Sequence, residues 1–100
     1  MTAWLTPRRG DSPSGHELER LFAEEGLTPH WWGNAPGETY GWHSHGYHKV
    51  LYCGTGSITF HTRDGDIELR AGDRLDIPPG VEHAATVGSE GCRCIEAPRN

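Results

Sequence analysis

Glycine and proline recur at short intervals along the whole chain, and this spacing is the strongest constraint on its fold. The 100 residues include 14 glycines and 7 prolines, and these are not collected in one segment. Such spacing is typical of tight turns between short strands. A chain of 100 residues also has room for only one hydrophobic core. The sequence therefore predicts a single all-β domain.

Between these turns, apolar and polar residues alternate with the period of two that a half-buried strand requires. In residues 49–62, Ile58 and Phe60 fall on one face, and polar residues, including His61, fall on the other. The Asp-Gly pair at residues 64–65 favours a hairpin, because it tolerates the positive φ angles of a type I′ turn. About seven or eight such strands indicate a small β-sandwich or β-barrel.

One short helix is predicted ahead of the strands. Ser14 and Glu17 have the spacing of a capping box, and apolar residues recur at helical spacing from Leu18 to Phe22. Gly26 is well placed to end the helix in a left-handed cap. We expect this amphipathic helix to cover a face or an edge of the sheet.

Residues 1–13 are predicted to form a loosely docked arm, and residues 14–100 a single domain. The net charge is −5 with neutral histidines and no run of Lys or Arg occurs, which argues against nucleic acid and anionic membranes as partners. No apolar stretch approaches the roughly 20 residues of a membrane span, and the first residues lack a signal-peptide apolar region. We therefore expect a cytoplasmic location, with the three cysteines reduced.

Three of the seven histidines, His43, His45 and His48, lie close together in the sequence. If this stretch is extended, His43 and His45 fall on one face, near enough to bind one ion. Neutral imidazole is a good ligand for zinc, iron, copper and nickel. A solvated strand explains an isolated pair of this kind more often than a metal site does, so a metal site requires a third ligand from a distant strand.

Residues 37–87 contain that third histidine, in a pattern that resembles the two motifs of the cupins, a family of small β-barrels. Cupin motif one is Gly, five residues, His-x-His, three or four residues, Glu, six residues and Gly. Motif two is Gly, five residues, Pro-x-Gly, two residues, His, three residues and Asn. The matching positions in residues 37–56 and 72–87 are Gly37, His43, His45, Lys49, Gly56, Gly72, Pro78, Gly80, His83 and Val87. Two of them, Lys49 and Val87, depart from the family's Glu and Asn.

This resemblance implies a cupin β-barrel, which is a double-stranded β-helix or jelly roll, with one short N-terminal α-helix. It implies that His43, His45 and His83 bind a divalent transition metal, with iron, zinc, nickel, manganese or copper as candidates. Ligand sites of such folds lie in the barrel mouth, so a small-molecule ligand or substrate is expected. A homodimer is expected as well, because small cupins commonly pair through sheet edges and residues 30–33 offer apolar surface.

Lys49 leaves the fourth ligand position undecided. A protonated ammonium is repelled by a divalent cation and has no lone pair to donate. Lys49 turns away and leaves a three-histidine site, or His48 becomes the fourth ligand, or the site has lost its metal. We include His48 in the predicted ligand set because Gly46 permits an irregular backbone, although strict alternation places His48 opposite His43 and His45.

Two functions follow from this pattern. The first is a mononuclear metal-dependent enzyme of the dioxygenase or isomerase type that acts on a small molecule. Its catalytic residues are unknown, and Tyr47, Tyr52 and Lys49 are candidates for the pocket. The alternative is a non-catalytic module that binds or senses a metal and a small ligand.

Overall fold

Seven strands and one helix make up the computed structural model, which describes residues 1–99. In chain order they are β1 (Trp4–Thr6), α1 (Gly15–Glu24), β2 (His30–Asn34), β3 (Thr39–His43), β4 (His48–Thr62), β5 (Gly65–Arg70), β6 (Arg74–Ile77) and β7 (His83–Arg99). The predicted all-β fold with one short N-terminal helix is confirmed. Asn100, the last residue of the predicted domain, lies outside the described residues.

The two longest strands, β4 and β7, are the centre of the sheet. They pair antiparallel with each other, and β4 also pairs with β5 and β6 while β7 pairs with β2 and β3. The main path runs β1-β6-β4-β7-β2, with β3 and β5 as branches. Within residues 1–99, β1 and β2 remain at the ends of this path, so the sheet folds around its core without closing into a complete barrel.

Strand β4 bends sharply at Gly56. The register with β7 shifts between Cys53 and Thr55 and again between Gly56 and Ile58. Gly56 has a φ of +72°, and a Cβ atom there would lie 2.0 Å from the carbonyl oxygen of Gly91. A side chain at this position therefore conflicts with both the backbone conformation and the available space.

Replacing Gly56 with alanine is expected to lower the free energy of unfolding by more than about 3 kcal/mol, because backbone strain and overpacking add. Urea unfolding followed by circular dichroism measures this change. Gly46→Ala is the matched control, since its Cβ would meet nothing within 4 Å and its φ is not positive. Equal unfolding midpoints for the two variants would contradict the expectation.

The inner face of the folded sheet forms the larger hydrophobic core. Its buried side chains come from β4 to β7, and Leu51, Ile58, Leu69 and Leu75 are fully buried there. Trp32 of β2 packs against the same cluster. Alternate residues of each strand point into this core, as the period of two predicted.

Helix α1 covers the outer face of β4 and β7. Leu18 and Phe22 are 0 % exposed and pack on outward-facing residues of these strands, among them Val50 and Tyr52. The capping box is present, with the backbone N–H of Glu17 donating to Ser14 Oγ. The predicted helix and its position on a sheet face are confirmed. Within residues 1–99 no helix is long and apolar enough to cross a membrane.

The N-terminal segment is more ordered than a loose arm. Its residues Trp4–Thr6 form β1 and pair with Arg74–Asp76 of β6. Further along, the backbone N–H of Arg8 donates to Asp73 Oδ1 at 3.0 Å. The segment therefore extends the sheet.

The apolar surface expected at residues 30–33 is largely used within the chain. Trp31 packs on the outer cluster beneath α1, and Trp32 packs on the inner core. The more exposed aromatic side chains are those of Trp4, Tyr40 and Trp42. The homodimer stays a prediction.

Candidate metal centre

Three histidine side chains, those of His43, His45 and His83, meet at one point. One ligand nitrogen from each lies within 4.8 Å of the other two. The ring centroids of His43 and His83 are 4.3 Å apart, and that of His45 is 4.9 Å and 5.2 Å from them. The structure therefore brings the three histidines named by the cupin resemblance into a group able to hold one metal ion.

Local backbone irregularity and strand pairing place these histidines. His43 ends β3 and is the cross-strand partner of His83, the first residue of β7. The pairing shifts register between Tyr40 and His43. Because of this shift, the side chains of Tyr40 and His43 reach the same cavity, although they are three residues apart. His45 lies in the β3–β4 loop, and its carbonyl accepts a hydrogen bond from the Gly80 N–H at 2.8 Å. That bond joins the loop of motif one to the turn of motif two.

The hydrogen bonds of the rings determine which nitrogen is free. Nδ1 of His43 lies 2.7 Å from the Gly41 carbonyl oxygen, and Nδ1 of His83 lies 2.9 Å from that of Val81. A carbonyl can only accept, so each Nδ1 carries the proton and each Nε2 keeps its lone pair. Backbone carbonyls commonly orient metal-binding histidines in this way.

Two ring nitrogens at this point are buried without a partner. Within residues 1–99, Nε2 of His45 and Nε2 of His83 have no hydrogen-bond partner. A buried polar atom that is left unpaired is costly and rare. A bound metal ion would satisfy both atoms, so the residues present fit a metal site.

The surroundings of His45 and His83 favour the neutral form of these two imidazoles. Burial, and next the positive charge of Lys49, lower the pKa of His45 to about 4. Burial also lowers the pKa of His83. Neutral imidazole is the form that binds a metal, so these two ligands are available at neutral pH.

The metal-free protein is expected to lose stability as the pH falls from about 6.5 to about 4. Between these values the unfolded chain protonates His45, whose ordinary pKa is 6.5, while the folded chain, with a pKa of about 4, excludes that proton. Urea unfolding of chelator-treated protein at a series of pH values measures the loss. His45→Asn should flatten the pH dependence in this interval, and an unchanged slope would contradict the assignment.

Lys49 and Glu96 form an ion pair in a cavity of about 220 Å³ beside the histidines. The cavity is lined by His43 and His83 and by polar and aromatic side chains, among them Trp32, Tyr40, Lys49, Phe60 and Glu96. Lys49 Nζ is 3.2 Å from Glu96 Oε2, and Trp32 Nε1 donates to Glu96 Oε1 at 2.7 Å. One of the outcomes left open was that Lys49 turns away. Its side chain instead lies inside the cavity, paired with Glu96.

His48 does not join the other three histidines. It begins β4 beside Lys49, and its side chain lies on the outer face of the sheet, where Nε2 is 2.8 Å from Asp76 Oδ1. The ring of Trp4 packs edge-on against it at 5.5 Å. No bulge intervenes here, so strand alternation decides the outcome: Lys49 points inward and His48 points outward.

The two candidate tyrosines occupy different places. The ring of Tyr47 stacks on His45, with centroids 5.1 Å apart and an interplanar angle of 27°. Tyr52 lies on the outer face, where its ring meets Phe22 of α1 edge-on at 5.5 Å. Tyr47 therefore belongs to the surroundings of the histidines, and Tyr52 does not.

Two residues of the cavity, Glu96 and Trp32, were not among those predicted for the site. Strand alternation was the available signal, because Glu96 falls on the same face of β7 as Cys94, and Cys94 lies in the inner core. Trp32 likewise shares a face of β2 with His30, which lines the cavity. What the alternation does not show is that the two side chains touch.

The sequence model of one family, Cupin_2, described as "Cupin domain", matches residues 30–97. This chain belongs to the cupin family. Both histidine motifs lie inside the matched segment. Among curated proteins no relative matches this cupin.

Solved structures show the same fold. A cupin-2 domain containing protein from Shewanella frigidimarina is 29% identical, with 73% of this chain and 71% of that chain covered and a TM-score of 0.62. A chain from the structures of the DMSP lyases RdDddP and RnDddQII is also 29% identical, with 74% of this chain and 37% of that chain covered and a TM-score of 0.63. A DUF861 family protein from Thermotoga maritima is 18% identical, with coverages of 94% and 96% and a TM-score of 0.64, which shows the fold alone.

Proposed function

We propose that this cupin is a mononuclear metal-dependent enzyme. It holds one divalent transition-metal ion on His43, His45 and His83 and acts on a small molecule in the adjoining cavity. The observation that supports the metal site most directly is the pair of buried Nε2 atoms on His45 and His83, which have no hydrogen-bond partner within residues 1–99. His48 is left out of the ligand set because its imidazole bonds to Asp76 on the opposite face.

The donor set suits several metals. Imidazole nitrogen suits iron, zinc, nickel and copper, so the ligands do not select one of these four, whereas manganese prefers oxygen ligands. When bound, such an ion supplies a positive charge that polarises an oxygen of a bound small molecule.

The residues of the chain orient the histidines and shape the cavity. The carbonyls of Gly41 and Val81 hold the rings of His43 and His83. Apolar side chains such as Phe60 line the cavity. Glu96 is the carboxylate among the lining residues within 1–99, and its hydrogen bond from Trp32 and its ion pair with Lys49 hold it in place.

The similarity to a chain from the DMSP lyase structures supports an enzyme over a binding module. That similarity has 29% identity and covers 74% of this chain but only 37% of the other. It therefore favours catalysis without assigning the reaction. A dioxygenase or an isomerase type of reaction is what we propose, with the metal deciding between them.

Metal analysis of protein purified without a histidine tag tests this function. We expect one metal ion per chain. Iron together with oxygen uptake in the presence of a small-molecule substrate would assign a dioxygenase, and zinc, nickel or manganese with turnover in the absence of oxygen would assign an isomerase. Stoichiometric metal without turnover would favour the non-catalytic module, and protein that binds none of these metals would refute the proposal.

A further inference from the structure

Lys49 is the only lysine of the chain, and among the lining residues within 1–99 it carries the only full positive charge of the cavity. We propose that Lys49 binds the carboxylate of the small molecule that this cavity takes, so that the substrate class is a short carboxylic acid. This inference rests on the proposed function, because it takes the cavity beside the histidines as the binding site and a metal ion on the histidines as a source of positive charge.

The ammonium group of Lys49 has unused donors. It carries three N–H groups. Within residues 1–99, Glu96 is its only ionic partner, at 3.2 Å, and Nζ makes no hydrogen bond to any other residue. The Lys49 side chain is only 11% exposed, so bulk water reaches it poorly. A ligand in the cavity is therefore the natural partner for the remaining donors.

Glu96 is engaged on both oxygens. One of its oxygens accepts from Trp32 Nε1 at 2.7 Å, and the other faces Lys49 Nζ at 3.2 Å. A carboxylate has about four acceptor sites, so Glu96 and Lys49 keep similar unused hydrogen-bonding capacity. The sign of the ligand is therefore decided by the charge of the whole site.

The charge of the site decides the sign of the ligand. Lys49 and Glu96 cancel each other, and imidazoles that bind a metal are neutral. A divalent ion on the histidines would therefore leave a positive excess, which an anionic ligand reduces. The motif's glutamate at position 49 would have lowered that excess from within the protein. With lysine there instead, the ligand has to supply the negative charge.

The size and walls of the cavity limit the rest of the ligand. Its volume of about 220 Å³ corresponds to about seven water molecules at roughly 30 Å³ each. Trp32, Tyr40 and Phe60 line it, so the body of the ligand meets aromatic surface. Short acids with a second oxygen, such as 2-hydroxy and 2-oxo acids, fit this volume and present oxygens to both Lys49 and the histidine group.

Binding of lactate and pyruvate tests the proposal, with lactamide as the neutral counterpart of lactate. Affinities are measured by NMR titration of metal-free and zinc-loaded protein. We expect lactate to bind at least about tenfold more tightly than lactamide, and Lys49→Met to weaken lactate binding at least about tenfold, because a hydrogen bond to a charged group contributes about 1.5–3 kcal/mol. Glu96→Gln should tighten lactate binding, since it frees the ammonium from its partner.

Lys49→Met and Glu96→Gln are expected to change lactate affinity in opposite directions, and this separates anion binding from a structural role. If the Lys49–Glu96 pair only maintained the cavity, both single variants would weaken binding. Lys49→Met combined with Glu96→Gln removes both charges and avoids a lone buried carboxylate. It should bind lactate more weakly than the wild type but more tightly than Lys49→Met, in which the unpaired Glu96 carboxylate repels the anion. Arg93→Met is the control for net charge, because Arg93 stacks on Trp31 outside the cavity, and it should leave lactate affinity unchanged.

Chemical labelling gives an independent measurement. Besides the amino terminus, Lys49 is the only amine of the chain, so mass spectrometry of acetylated peptides reports its access directly. Lactate should slow acetylation of Lys49, and lactamide should not.

Three results would overturn the inference: no lactate or pyruvate binding in either form, equal binding of lactate and lactamide, or equal lactate affinity in the wild type and the double variant. Failure of the metal site is distinguishable from these. Lys49-dependent lactate binding by protein that takes up no zinc would support the inference and refute the proposed metal function. Zinc binding together with a lactate affinity that does not depend on Lys49 would support the metal function and refute the inference.

Discussion

Replacing His83 with alanine is expected to lower zinc affinity by more than about 100-fold, because loss of a direct ligand should exceed the 10–100-fold effect of losing a residue that only supports one. His83 is 1% exposed, and its Nε2 has no hydrogen-bond partner within residues 1–99. Only the imidazoles of His43 and His45 would then remain to hold the ion. Isothermal titration with zinc and metal analysis of the purified variant measure the loss.

His48→Ala is the matched control for this experiment. It removes a histidine three residues from His45, but on the face where its Nε2 bonds to Asp76. We expect unchanged zinc affinity and a loss of about 1–3 kcal/mol in stability, since the buried Asp76 loses a hydrogen-bond partner. Zinc binding that survived in His83→Ala, or vanished in a folded His48→Ala, would contradict the ligand assignment.

The fold and the three-histidine group could be predicted because they depend on features that the sequence displays directly. Glycines and prolines mark the turns, and the spacing of the motifs identifies the family. His43 and His83 meet because the end of β3 pairs with the start of β7, which is a property of the fold. No side-chain detail was needed for this step.

The residues around the histidines were harder to predict, because regular alternation and local irregularity compete there. Between Tyr40 and His43 the register shifts, so alternation fails. From His48 to Cys53 β4 is regular, so alternation holds and sends His48 outward and Lys49 inward. The sequence does not show which of these adjacent stretches is irregular.

The Lys49–Glu96 pair depends on register as well. Leu51 lies opposite Glu96 across β4 and β7, which puts Glu96 diagonal to Lys49 on the inner face. Long side chains at diagonal positions can touch. Because Lys49 and Glu96 are far apart in the sequence, this contact can be predicted only once the register of β4 and β7 is known.

Replacing Lys49 with glutamate, the residue of the cupin motif, is expected to make the stability of this protein depend on metal. Without metal, two carboxylates would share a buried site that now holds an ion pair, and breaking a buried pair costs about 3–5 kcal/mol. With metal, a positive charge beside the histidines is replaced by a negative one. We therefore expect zinc affinity to rise at least about tenfold, or about 1.4 kcal/mol.

Thermal unfolding with and without zinc, together with zinc titration, measures both effects. The shift in Tm on adding zinc should be larger in Lys49→Glu than in the wild type, because tighter binding to the folded state stabilises it more. Lys49→Met removes the positive charge without adding a carboxylate, so its zinc affinity should fall between the two. If metal-free Lys49→Glu unfolded at the wild-type temperature, Glu96 would not be buried against this side chain. If its zinc affinity stayed unchanged or fell, a carboxylate at position 49 would not reach the ion.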